Sequence, residues 1–90
     1  MVKGQSVWPP WWEWEIKLSS HVQKRFIKRN FTEIELRRMM EHASDFRRDY
    51  IEGRWVIETR FRRAEWEVIV EPLPDEEKLE IITAYEVWDE

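Results

Sequence analysis

The hydrophobic period of this chain changes from helical to extended at about Ser44, and that change constrains the fold more than any other feature. Before it, the apolar residues of 36–43 recur at the three- and four-residue spacing of an amphipathic helix. After it, apolar and charged residues alternate with a period of two in three runs, at 55–62, 65–70 and 79–87. The order predicts helices followed by strands, which is an α+β architecture.

Two capping-box motifs predict where the helices begin. The first, at 20–23 (Ser-His-Val-Gln), opens a helix that we expect to end at about Arg29. The second, at 32–35 (Thr-Glu-Ile-Glu), opens a helix that we expect to end at about Ala43. Ahead of both, the alternating run at 14–18 predicts a half-buried first strand.

The runs after the helices predict a curved antiparallel sheet of three to four strands. Short links, at Arg63-Ala64 and at 73–77, favour antiparallel neighbours. The first link contains neither glycine nor asparagine, which predicts a turn wider than two residues. The stretch 46–51 fits either a loop or a short edge strand, and Gly53 marks a turn.

Ninety residues, 42% of them apolar, predict one domain. We assign residues 1–13 to a Trp/Pro-rich N-terminal arm and residues 14–90 to the domain. The arm region is dense in tryptophan, so some of its rings must pack on the domain, on a partner or on a second copy in a homodimer. The chain shows no secretory signal, no apolar run of the ~20 residues that span a bilayer and no cysteine. We therefore expect a cytoplasmic protein without membrane contact.

The net charge of −4 conceals a division along the chain. Residues 21–63 carry twelve Lys/Arg and seven Asp/Glu, whereas residues 64–90 carry one lysine and ten acids. A basic stretch ahead of an acidic one fits an anion-binding surface on an acidic protein. The alternative is that both sets of charges are solvated faces.

Several enzyme classes lack their motifs in this sequence. No G-x-S-x-G elbow is present, and Gly4 and Gly53 cannot form a phosphate-binding loop. Two histidines without cysteine do not make a zinc motif, so we predict neither a metal nor a cofactor. His42 falls in the last turn of the second helix, where the helix dipole favours an imidazolium, and we assign it a capping or surface role.

His21 lies near the middle of a basic helix face, if the helix has 100° per residue. That face consists of Lys24, Arg25, Lys28 and Arg29. Arg60, Arg62 and Arg63 follow on a strand and its turn. Metal-independent RNA cleavage needs a base near the 2′-hydroxyl, cations on the phosphorane and a proton donor for the leaving oxygen. Imidazole, guanidinium and phenol side chains supply these roles.

The spacing Ser20-His21-x3-Arg25-x3-Arg29, followed by Thr32-x2-Glu35, resembles the opening helices of an uncharacterised bacterial domain family. That family is placed near the RelE/ParE and BrnT toxins, within the barnase–EndoU–colicin–RelE group of ribonuclease folds. The resemblance extends through 55–60 (WVIETR), 66–71 (WEVIVE) and Thr83-Ala84-Tyr85, and covers roughly residues 16–88.

The resemblance implies a RelE-like fold and a toxin-like, metal-independent endoribonuclease of a toxin–antitoxin system. Its partners would be RNA, free or ribosome-associated, and an antitoxin protein. The resemblance points to His21, Arg25, Arg29, Thr83 and Tyr85, and the basic charge pattern adds Lys24, Lys28, Arg60, Arg62 and Arg63. Of these, the catalytic residues would be His21, Arg25, Arg60 and Tyr85. The RNA-binding residues would be Lys24, Lys28, Arg29, Arg62, Arg63 and Thr83. In this sequence Phe61 stands where relatives often carry histidine, which leaves His21 as the single base.

A non-catalytic module with the same fold is the alternative function. It would bind nucleic acid or protein, with His21 satisfied at the helix start and Arg25 and Arg29 paired with sheet carboxylates such as Glu58. The alternation of the last strand also leaves Tyr85 open to two roles, because it shares a side with apolar residues that belong in the core.

Overall fold

The computed structural model describes residues 8–28 and 32–87. These residues form two α-helices and five strands, preceded by one turn of 3-10 helix at Pro10–Glu13. In chain order the elements are β1 (Glu15–Leu18), α1 (Ser20–Lys28), α2 (Glu33–Glu41), β2 (Asp45–Arg48), β3 (Trp55–Phe61), β4 (Ala64–Leu73) and β5 (Lys78–Glu86). The α+β class is confirmed.

The five strands form one open, mixed sheet in the order β1-β5-β4-β3-β2. The strands after the helices, β2 to β5, are antiparallel neighbours joined by short links. The first strand pairs parallel with the last, with Ile16 opposite Leu79 and Leu18 opposite Ile81. A parallel pair needs a long crossover, and here the two helices and three further strands supply it. The sheet is therefore mixed: four strands, β2 to β5, form the antiparallel part, and the first strand joins them in parallel at the edge next to β5.

Helix α1 is capped by Ser19 and not by Ser20. The Ser19 hydroxyl accepts a hydrogen bond from the Val22 amide at 3.1 Å and donates one to the Ile82 carbonyl oxygen on β5, also at 3.1 Å. One side chain thus satisfies an orphan amide of the helix and ties the helix to the sheet. The expected cap is one residue too late because neighbouring serines carry the same local signal.

The capping box of α2 is confirmed. The Thr32 hydroxyl accepts from the Glu35 amide at 3.1 Å, and the Glu35 carboxylate accepts from the Thr32 amide at 2.9 Å. The helix ends at Glu41, two residues before the expected Ala43, with His42 as its C-cap.

Both helices cover one face of the sheet, and the hydrophobic core lies between the helices and that face. The side chains that share this core are fully or nearly buried: Val22, Phe26, Leu36, Met39, Met40, Ile57, Val68, Val70, Leu79, Ile81 and Ala84. The apolar stripe of α2 read from the sequence is thereby confirmed. We call the opposite side the outer face of the sheet.

A register shift between Ile69 and Val70 of β4 reverses which residues of β5 face the core beyond that point. Val70 pairs with Ile81, but Ile69 pairs with Thr83, so one residue of β5 is extra at this β-bulge. Beyond the bulge Ala84 points to the core, whereas Thr83 and Tyr85 lie on the outer face. Tyr85 is therefore not a core residue, a choice that simple alternation left open.

The β3–β4 turn is a two-residue hairpin made of Arg62 and Arg63. Phe61 pairs with Ala64, and both arginines adopt the left-handed conformation, with φ of 53° and 66°. This is the backbone of a type I′ turn, which favours Asn-Gly because other residues clash through Cβ. The expectation of a wider turn at Arg63-Ala64 is wrong, since the chain accepts two non-glycine residues at positive φ.

The tryptophans of the N-terminal segment pack on the chain itself. The Trp8 ring lies 4.9 Å from that of Phe46 on β2, and the Trp11 ring lies 5.4 Å from that of Trp55 on β3. Trp11, Trp12 and Trp14 are half-buried against the core. Rings from residues 8–12 thus pack against β2, β3 and the core, and residues 1–7 lie outside the described part.

Candidate nucleic-acid interface

A concave basic surface surrounds the β3–β4 hairpin turn. It has a volume of about 450 Å³. Four of its six lining residues are arginines and a fifth is histidine: Arg38, His42, Arg60, Phe61, Arg62 and Arg63. We call it the basic cleft.

The basic cleft forms because α2 lies alongside β3 and ends beside the exposed edge of that strand. The buried Thr59 hydroxyl donates to the Met39 carbonyl oxygen in the last turn of α2, and the Ser44 amide donates to the Glu58 carbonyl oxygen at 2.8 Å. Strand β2 begins at Asp45 opposite Glu58, so the edge of β3 beyond that point is left for α2 to flank. These contacts bring the C-terminal residues of α2 to the hairpin.

Two of the four arginines of the basic cleft have guanidinium groups that no carboxylate of the described residues pairs with. Arg60 pairs with Glu65 at 3.3 Å between exposed side chains, and Arg62 pairs with Glu35 of the capping box. Within the part of the chain that the structure describes, Arg38 and Arg63 form no ion pair. Unpaired guanidinium groups that line one cleft favour an anion with several oxygens, such as a phosphodiester.

A second concave surface lies on the other side of Arg62, where α1 meets the hairpin. It has a volume of about 310 Å³. Its lining joins three aromatic rings, two alanines and three charged side chains: Phe26, Phe61, Trp66, Ala64, Ala84, Arg25, Arg62 and Glu86. We call it the aromatic cleft. It shares Phe61 and Arg62 with the basic cleft, and the Arg62 guanidinium carbon lies 4.9 Å from the centre of the Phe61 ring.

The outer face of the sheet is acidic and internally paired. The Arg47 guanidinium lies 3.6 Å from the Glu58 carboxylate and 3.0 Å from that of Glu67. The Tyr85 hydroxyl donates to Glu67 at 2.7 Å. Partial burial, and then this hydrogen bond to a carboxylate, raise the pKa of Tyr85 to about 12. A phenol held this way is a positioning donor, because it releases its proton reluctantly.

The structure brings together part of the predicted site. Arg60, Arg62 and Arg63 share the basic cleft, and Arg25 joins them across Arg62. His21 is exposed in the first turn of α1 and lines neither cleft.

The other predicted residues are dispersed. Thr83 and Tyr85 lie on the outer face, across the sheet from α1 and His21. Lys24 and Lys28 are exposed on α1. Arg29, together with the expected helix stop Asn30, lies outside the described residues.

Sequence reasoning missed Arg38 and His42 as site residues. Both lie near the C-terminus of α2; from the sequence His42 received only a capping or surface role, and Arg38 received none. The usable signal was their spacing of four, which places them on one face of the helix. Only the packing of α2 along β3 joins that face to the hairpin arginines, 18 or more residues later in the chain.

Residues 8–28 and 32–87 contain neither a metal-binding cluster nor a membrane-spanning helix. No three metal-binding side chains cluster there. Neither helix in that part is long and apolar enough to cross a membrane.

Comparison of the chain with models of protein families, with curated proteins and with solved structures finds no match. The site described above therefore stands on the geometry of this chain.

Proposed function

We propose that this protein binds single-stranded RNA through the basic cleft. The main support is that four arginines and a histidine line one cleft at the hairpin turn: Arg38, Arg60, Arg62, Arg63 and His42. Arginines contact phosphate oxygens through a planar fork of donors, and such contacts dominate the affinity of proteins for nucleic acids. The aromatic rings next to the cleft favour a single strand, whose bases are available for stacking.

The acidic total charge of the protein is compatible with this function because its charges are separated. The acids Glu58, Glu67 and Glu71 alternate with core residues and lie on the outer face, where Arg47 and Arg54 pair with them. At physiological salt, charge effects are screened beyond about 8 Å, so the acids in contact with the cleft matter most. Two of them, Glu65 and Glu35, pair with Arg60 and Arg62, and Arg38 and Arg63 form no ion pair among the described residues.

The test is a titration of labelled single-stranded RNA with the protein, followed by fluorescence anisotropy at several salt concentrations. Arg38→Ala is the probe and Arg37→Ala is its matched control. The two arginines are neighbours on α2, but Arg37 pairs with Glu33 at 2.7 Å and lies outside the basic cleft.

We expect Arg38→Ala to weaken binding and to reduce the slope of log affinity against log salt by about 0.7, the value for one phosphate contact on a single strand. Arg37→Ala should leave both quantities close to those of the unaltered protein. Equal loss in the two variants, or no binding at low salt, would refute the proposal. A duplex that binds as tightly as the single strand would refute its single-strand part.

The second candidate is a toxin-like, metal-independent endoribonuclease, and the specific observation that favours it is His42. An imidazole beside several guanidinium groups has the composition needed for acid–base catalysis with a clamped phosphorane. The RelE-like resemblance in the sequence points to the same reaction, although with His21 as the base. If the protein is such a toxin, an antitoxin protein would cover the basic cleft.

RNA incubated with the protein in EDTA tests the second candidate. If His42 is the base, His42→Asn abolishes cleavage and His21→Ala leaves it intact. The reverse result would place the base on α1. Intact RNA at micromolar protein that demonstrably binds it would leave binding as the function and exclude cleavage.

A further inference from the structure

The aromatic cleft is a second concave site beside the basic cleft, and the proposed phosphate contacts do not use it. Its volume of about 310 Å³ is at the lower end of the range of about 300–1,000 Å³ that is typical of small-ligand pockets. Its wall contains three aromatic rings, and its charged side chains are Arg25, Arg62 and Glu86. A planar ligand with polar edges fits this composition.

The side chain of Arg25 gives the main indication that the aromatic cleft binds a ligand. Among the residues that the structure describes, its Nε is the single buried side-chain nitrogen or oxygen without a hydrogen-bond partner. A buried donor without an acceptor has lost water and gained nothing in return, which is why such groups are rare in folded proteins. Because this Nε has no solvent-exposed surface, an acceptor atom of a ligand would satisfy it only if the Arg25 side chain shifts toward the cleft that it lines.

Glu86 supplies the opposite hydrogen-bonding character in the same cleft. Within 8–28 and 32–87 neither Arg25 nor Glu86 forms an ion pair. The cleft therefore offers donors from guanidinium groups and an acceptor from a carboxylate. Its ligand should present acceptors on one edge and donors on another.

We infer that the aromatic cleft holds one unstacked guanine base of the bound RNA, an inference that rests on the proposed function. Guanine carries two neighbouring acceptors, O6 and N7, which arginine pairs with two donors. It also carries the N1–H and N2–H donors that a carboxylate accepts. Adenine places an amino donor beside N7, where it would face the donors of Arg25.

The position of Arg62 explains how one strand reaches both clefts. Its side chain lies over the Phe61 ring and lines both surfaces. A nucleotide on this ridge has its phosphate among the arginines of the basic cleft and its base on the other side, beside the Phe61 and Trp66 rings. Stacking on aromatic rings is the usual way in which proteins hold the splayed bases of single-stranded RNA.

The first test compares oligouridylates of about twelve nucleotides, a length that spans a typical single-strand site. One has uridine throughout, one has a single central guanosine and one has a single central adenosine. We expect the guanosine to raise affinity about tenfold, within the discrimination of a bidentate arginine–guanine pair, and adenosine to give no such gain. Binding of all three oligomers with equal affinity would overturn the inference while leaving the proposed function intact.

Two variants assign the preference to the cleft. Arg25→Met keeps an unbranched side chain out to about the position of Nε and removes the guanidinium donors, and Glu86→Gln removes the carboxylate charge. Each should abolish the difference between guanosine-oligomer and uridine-oligomer affinity, whereas Arg38→Ala should weaken the binding of all three oligomers and keep the ratio of those two affinities. A guanosine preference that survives Arg25→Met would overturn the inference.

A titration with free guanosine tests the base site without any phosphate contact. The Nε–H resonance of Arg25 and the indole resonance of Trp66 should shift with guanosine and stay in place with uridine. Failure of every oligomer to bind would refute the proposed function, and the guanosine titration would still decide whether the base site exists. Unchanged resonances at millimolar guanosine would overturn it.

Discussion

Arg63 adopts a left-handed backbone conformation, so we expect Arg63→Gly to make the protein more stable and to weaken the proposed binding of RNA. A non-glycine residue at φ of 66° costs about 1–2 kcal/mol relative to its right-handed alternative. Glycine removes that cost, although its freedom in the unfolded chain returns about 0.4–1 kcal/mol. Arg63 forms no ion pair in the described part of the chain, so little else is lost. Arg63→Gly should therefore raise the free energy of unfolding by about 0.5–1 kcal/mol.

The matched control is Arg63→Ala, which removes the same charge and keeps the Cβ that causes the strain. A gain of about 0.5–1 kcal/mol raises the melting temperature by about 2–8 °C in a domain of this size. Thermal and urea unfolding of the two variants, followed by circular dichroism, measure the difference. Both variants should lose RNA affinity equally, because both lack the guanidinium.

The reasoning is refuted if Arg63→Gly is no more stable than Arg63→Ala. That result would mean that the turn does not hold this residue under strain. If both variants bind RNA as tightly as the unaltered protein, the arginine does not contact the ligand.

Three further predictions concern stability and titration. Thr32→Ala removes the reciprocal capping bonds and should lower the free energy of unfolding by about 1 kcal/mol in urea titrations, whereas Thr32→Ser should restore it; equal values would contradict the cap. Thr59→Val removes the buried bond to α2 and should cost about 1 kcal/mol in the same assay, and no loss would show that the bond is neutral. In a Tyr50→Phe background, ultraviolet absorbance should give a phenol midpoint of about 12 while circular dichroism shows a folded chain, and Glu67→Gln should lower it. Because the folded pKa of Tyr85 is raised, its contribution to stability is complete below the ordinary value of about 10 and is lost as pH rises through 12; a midpoint near 10 in the folded protein would contradict the contact.

Local signals in the sequence predicted correctly those features that depend only on residues a few positions apart. The capping box at Thr32 depends on a residue three positions away, and the stripe of Leu36, Met39 and Met40 depends on helical geometry alone. The alternating runs of β3 and β4 likewise depend only on the two-residue period of an extended chain. The choice of Ser20 over Ser19 failed because the deciding contact, from Ser19 to Ile82, joins residues 63 positions apart.

The sequence by itself determined the α+β class, the helix with the capping box and the basic character of the β3–β4 hairpin. Only the tertiary structure decided which histidine stands beside those arginines and which face Tyr85 occupies. His42 joins the hairpin because α2 packs along β3, and Tyr85 turns outward because of the bulge in β5. Both outcomes depend on register and packing between distant segments, which no periodicity along the chain encodes.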